Sequence, residues 1–242
     1  MVVKFKLYLS TLAEPPMPTL IIVSLAAWLA LLLNGEHTSG HDHTIHGTAA
    51  QTLAQSAWGW FLMVVAMMSP LLANAIHHVW FRSLPQRRIG VVTFFIIGYT
   101  SSWMLAGTVL LAGAEQLKAL SGFGWLVVPA IALLIAFIWQ SSPWKQISIN
   151  HCHARPRLSA FGLAADWDAL RFGLVKGFWC IGSCWALMFL PLVFGSAGFP
   201  LMILVSWFLL FEQYQSPRPA QWRLPLFEIT IKDGGPPTGT AQ

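Results

Sequence analysis

The sequence predicts an all-α protein, a polytopic transmembrane helical bundle of about six helices with both N- and C-termini cytoplasmic. Three observations carry this reading. Of 242 residues, 56% are hydrophobic and only 10% charged, where an ordinary soluble domain is about 25% charged. Such a chain has too little polar surface to coat a water-soluble globule. Apolar runs near spanning length recur along it. Lysine and arginine gather in alternate connections, the distribution that orients helices in a bilayer.

The elements follow in order. Residues 1–17 form a cytoplasmic N-terminal segment, with Lys4 and Lys6 ahead of the first apolar run. Pro15, Pro16 and Pro18 intervene and no small-residue cleavage site follows directly, so the run reads as a retained helix rather than a signal peptide. The membrane domain covers residues 18–213. Its expected spans are Pro18–Asn34, Ala57–Trp80, Ile89–Gly113, Gly122–Trp139, Phe172–Phe194 and Phe199–Phe211. The first and last are short. An external histidine-rich loop occupies 35–56 and a cytoplasmic loop 143–171. The proline-bearing tail, 214–242, is expected to be cytoplasmic and partly disordered.

With six spans, Lys4, Lys6, Arg82, Arg87, Arg88, Lys145, Arg155, Arg157, Arg171, Lys176, Arg218, Arg223 and Lys232 all fall on one side, and Lys118 stands on the other. The positive-inside rule makes the first side cytoplasmic, as expected of a multi-pass protein of a bacterial inner (plasma) membrane. This placement also explains the net charge of +5 without nucleic acid as a partner. Thirteen tryptophans and sixteen phenylalanines suit the boundary between lipid and water. Three cysteines cannot build a disulfide framework.

The residues with distinctive chemistry are sulfur and imidazole. Cys180, Cys184 and Met188 recur every four residues in the fifth span and so share one helical face. Met63, Met67 and Met68 lie at similar depth in the second. Thiolate and thioether are soft donors that suit monovalent copper, with zinc or another transition metal as alternatives. The plainer reading is packing, methionine filling gaps and cysteine serving as a small apolar residue. His37, His41, His43 and His46 in the external loop offer imidazoles for a collecting site, or simply make that loop polar. His151, Cys152 and His153 form a chelating triplet on the cytoplasmic side, unless they only face solvent. His77 and His78 could ligate or cap. Lys176 is expected to snorkel to the cytoplasmic boundary, and Asn74 to bond across helices.

Four blocks in this order resemble a known family. They are Trp60 to Pro70 with Met63, Ala66, Met67 and Met68; Gly98, Tyr99 and Trp103; Gln140, Pro143, Lys145 and Cys152; and Gly177, Cys180, Gly182, Cys184, Trp185, Leu187 and Met188. Together, over roughly residues 57 to 195, they resemble predicted metal-binding integral membrane proteins, some of them described as copper chaperones. Ser148 and Ser183 stand where that family usually carries cysteines, which removes two sulfur donors.

The resemblance implies a copper-handling membrane protein, chaperone or conduit, in contact with lipid and with a membrane-protein partner or copper-dependent enzyme. A non-catalytic subunit of a larger membrane complex is the second class. A membrane thiol oxidoreductase is the third, although Cys180 and Cys184 lack the Cys-x-x-Cys spacing of redox helices. No nucleophile–base–acid set, paired catalytic carboxylates or phosphate-binding glycine loop is present, so enzymatic activity is not expected.

Overall fold

The computed structural model describes residues 17–38, 49–119, 126–154, 156–159, 161–213 and 219–222. Seven α-helices, with no strand among these residues, make up the fold: α1 (Met17–Thr38), α2 (Ala49–Arg82), α3 (Arg88–Lys118), α4 (Val127–Ser141), α5 (Pro143–Cys152), α6 (Gly162–Val193) and α7 (Gly198–Gln213). A single 3₁₀ turn, Gly195–Ala197, links the last two.

Three helices are long and apolar enough to cross a membrane: Ala54–Arg82 within α2, α3 and α6. The α4–α5 pair qualifies only as one span bent by 65°. The expected fourth span therefore does not run straight into a loop. Residues 143–152, read from their polarity as the start of the cytoplasmic loop, are helical. Pro143 occupies the first turn, where its missing N–H costs nothing, and the Ser142 hydroxyl accepts the Trp144 N–H at 3.1 Å. The far end of the same expected loop is helical too, because α6 begins at Gly162 rather than at Phe172. The apolar part of α1, Met17–Leu33, and α7 are shorter. Sixteen residues of α7 span only about 24 Å, against a hydrocarbon core of about 30 Å.

The bundle is organised on α6. Its closest partner is α3, the most extensive helix pair in the molecule, and α4, α5 and α7 pack around it as well. The buried residues of α3 (Val91, Phe95, Tyr99, Trp103, Leu110, Ala114) and of α6 (Ala165, Ala169, Phe172, Cys180, Cys184, Met188) follow the three-and-four spacing of a helix–helix seam. Glycine makes the crossing close. A Cβ on Gly98 would run into the Leu170 carbonyl, and one on Gly173 into the Phe95 carbonyl. Small residues that let backbones touch are the usual means by which apolar helices associate.

Polar side chains complete backbone groups across helices. Pro70 lies inside α2 and has no N–H to give the Ala66 carbonyl. The Ser24 hydroxyl of α1 donates to that carbonyl at 2.7 Å. Trp60 Nε1 donates to the Trp103 carbonyl, and Trp139 Nε1 to that of Gly182, each at 2.9 Å. Gln213 Nε2 donates to the Leu71 carbonyl at 2.7 Å, tying α7 to α2. Asn74, expected to make a bond of this kind, is exposed instead. The outward faces are otherwise apolar, with Leu105, Val109, Phe178, Leu204 and Trp207 each more than 60% exposed.

Candidate functional site

The seam that packs α6 on α3 also determines where its cysteines point. Cys180 and Cys184 lie on the buried face of α6, with Met188 fully buried one turn further on. The small side of Gly177, where a Cβ would meet the Ser102 side chain at 2.7 Å, lets α3 come close enough for Tyr99 to reach Cys180. The Tyr99 hydroxyl donates to Cys180 Sγ at 3.2 Å. From α2, the thioether sulfur of Met68 lies 3.9 Å from Cys180 Sγ. The Cys184 thiol donates back to the Cys180 carbonyl at 2.8 Å, and that carbonyl also accepts the Ser183 hydroxyl at the same distance.

The third cysteine arrives by an unexpected route. Because α5 folds back after the 65° bend, Cys152 at its end is half-buried and its thiol interacts with that of Cys180. All three cysteines are free. They line one cavity together with Leu72, Tyr99, Lys176 and Ser183, and with Glu212 and Gln213 of α7. The Lys176 ammonium donates to the Cys152 carbonyl. Glu212 of the lining is paired with buried Lys145 of α5, which itself does not line the cavity.

The other residues singled out from the sequence are placed as follows. Met63 and Met67 are buried in the core with Met188, and none of the three lines the cavity. His153 lines it, with Nδ1 2.9 Å from the Ile149 carbonyl and Nε2 3.2 Å from that of Gln213. His151 is exposed and stacked on Trp179, ring centroids 4.1 Å apart. The triplet is thus split, with Cys152 turned toward Cys180 and His151 away. His78 Nε2 lies 3.1 Å from the Pro156 carbonyl, and His77 packs on Phe81. His41, His43 and His46 lie outside the described residues, as does the side chain of His37.

Among the described residues, no three or more His, Cys, Asp or Glu side chains converge closely enough to hold a metal ion. What does converge is a pair of thiols and a thioether, Cys152, Cys180 and Met68. Glu212 and Gln213 carried no sequence signal, because α7 reads as a plain apolar run. Met68 stands out in the sequence beside Met63 and Met67, and Tyr99 only within a resemblance block, without a role; the seam spacing of α3 places Tyr99 on the face toward α6.

The model of the copper chaperone family PpoB2 matches residues 57–226, well over half of the chain. The chain belongs to this copper chaperone family. The matched stretch contains every residue that lines the cavity. No match was found among curated proteins or among solved structures.

Proposed function

We propose that this family member is a membrane copper chaperone whose cargo, monovalent copper, is held between the Cys152 and Cys180 thiolates, with the Met68 thioether as a third, weaker donor. One observation supports this above the rest: Cys152 and Cys180, from two helices, line one cavity, and the Met68 sulfur of a third helix lies 3.9 Å from Cys180 Sγ, in a protein whose family handles copper. Thiolate and thioether are the donors that select Cu(I). Two or three sulfurs do not complete the closed tetrahedral set of a structural zinc site, because the His153 ring nitrogens face carbonyls and the Glu212 carboxylate is paired with Lys145.

Cys184 stands one turn from Cys180 in the same cavity. It would accept the ion as it moves along α6, so that transfer proceeds by exchange of one thiolate at a time. In this reading the apolar outer faces contact lipid, the six apolar segments all enter the bilayer, and both termini are cytoplasmic. The histidines His37, His41, His43 and His46 would collect metal outside. His153 marks the cytoplasmic exit toward a copper-dependent partner. The site holds and passes an ion, and no reaction is assigned to it.

The test is anaerobic loading of reduced protein in mild detergent with a cuprous salt. Wild type should retain about one copper per chain, with sulfur neighbours at about 2.3 Å, the length of a metal–thiolate bond, in X-ray absorption. Cys180→Ser should abolish retention and Cys152→Ser should weaken it sharply. Full retention in both variants would overturn the assignment.

A further inference from the structure

The cavity has a charge balance that bears on which ion it accepts. Two basic groups, one beside the cavity and one lining it, have their nitrogens engaged already. Lys145 is paired with Glu212, and both ring nitrogens of His153 face backbone carbonyls. Lys176 differs. Its ammonium contacts only an uncharged group in the described structure, the Cys152 carbonyl, and its charge acts on both Cys152 and Cys180. Among the described residues lining the cavity, Lys176 is the only lysine, and its ammonium meets a carbonyl rather than a carboxylate.

From this arrangement we infer that Lys176 is a specificity-determining residue, a fixed countercharge that favours monovalent over divalent cations at the cysteine pair. The inference rests on the copper reading above. When a cuprous ion enters, two thiol protons leave and the bis-thiolate complex carries one negative charge. A divalent ion bound by the same two thiolates leaves a neutral complex. In an apolar surrounding an uncompensated charge is costly, so an ammonium beside the sulfurs stabilises the first complex and does nothing comparable for the second. For a unit charge several ångströms away, at an effective dielectric of about 20, the preference amounts to roughly tenfold to a hundredfold. Lys176 touches no metal in this scheme and acts only through its charge.

Two affinities measured on the same reduced protein test this, Cu(I) against a cuprous chelator and Zn²⁺ against a chromogenic one. Lys176→Met removes a charge from an apolar helix, where charges are costly, so the fold should survive, as circular dichroism would check. The variant should lose roughly tenfold or more of the Cu(I)-over-Zn²⁺ preference, whereas Lys176→Arg, which keeps the charge, should retain it. An unchanged ratio in Lys176→Met, or an equal loss in Lys176→Arg, would overturn the countercharge while leaving the copper reading intact. Wild-type protein that binds no Cu(I) would overturn both.

Discussion

The Tyr99 hydroxyl donates its hydrogen to the sulfur of Cys180 across the α3–α6 interface, at 3.2 Å and fully buried. A phenol aimed at a thiol in an apolar seam supports the ionised form of that sulfur, since a hydrogen bond to a charged acceptor is worth about 1.5–3 kcal/mol. Tyr99→Phe keeps the ring and removes the donor. Its expected effect is a loss of Cu(I) affinity of roughly tenfold, with thermal stability lowered by only about 1 kcal/mol. A competition titration beside a melting curve separates the two. Equal affinity in both proteins would mean that the bond serves packing alone.

The same interface predicts which glycines tolerate a methyl group. Gly173→Ala would push a Cβ into the Phe95 carbonyl, so the helices must part, and the loss should be about 1–3 kcal/mol or more. Gly59, inside α2, has nothing within 4 Å of the added carbon, so Gly59→Ala should be neutral or stabilising by up to about 1 kcal/mol. Denaturation in a mixed-detergent series would rank the two. Similar stability for both would show that the close crossing is not what holds α3 on α6.

Hydropathy located all six apolar segments, and every one of them became a helix whose boundaries extend or trim the expected ones. What it did not show was α5. Lys145, Gln146, Ser148, Asn150 and His151 make residues 143–152 read as a loop, yet Lys145 and Ser148 are buried. Their burial depends on partners that hydropathy cannot see. Glu212 is 67 residues away in sequence from Lys145, and Ser148 packs against Gly182 and donates to the Trp144 carbonyl. The place of Cys152 in the cavity follows from that helix, so it was illegible for the same reason. The shared face of Cys180 and Cys184, by contrast, was readable from spacing alone.

Lys145 and Glu212 join α5 to α7 with side chains only 5% and 16% exposed. A buried ion pair is weak evidence for stability, but breaking one leaves an unmatched charge, at a cost of about 3–5 kcal/mol. Glu212→Gln should therefore lower stability by that amount. The double variant Lys145→Met/Glu212→Leu should recover most of it. If the double variant were as unstable as the single one, the pair would be needed for the fold itself, as a specific strut between α5 and α7.

Orientation has its own test. Reporter fusions after Gln51 should report an external location, and fusions after Arg157 or at the tail a cytoplasmic one. If the six apolar segments all cross as proposed above, the charge distribution leaves no other simple arrangement. A cytoplasmic signal at Gln51 would remove α1 from the count of spans, and with it the external placement of the histidine segment.

The last prediction separates two adjacent methionines. Met67 and Met68 are both about 1% exposed and would be equivalent on composition, but neighbours on a helix point about 100° apart. Only Met68 is turned to Cys180, its sulfur 3.9 Å from the thiol. Both belong to the core and neither lines the cavity, so the contact with Cys180 is what sets Met68 apart. Leucine replaces methionine at nearly constant volume, so either change should cost less than about 1.5 kcal/mol in packing. Met68→Leu should nevertheless weaken Cu(I) binding and remove one sulfur neighbour from the X-ray absorption spectrum of the loaded protein, because a thioether donor is lost from the metal. Met67→Leu should leave both unchanged. If Met67→Leu lost the sulfur neighbour and Met68→Leu did not, the register of α2 against α6 in the loaded protein would differ by one residue from the register described above.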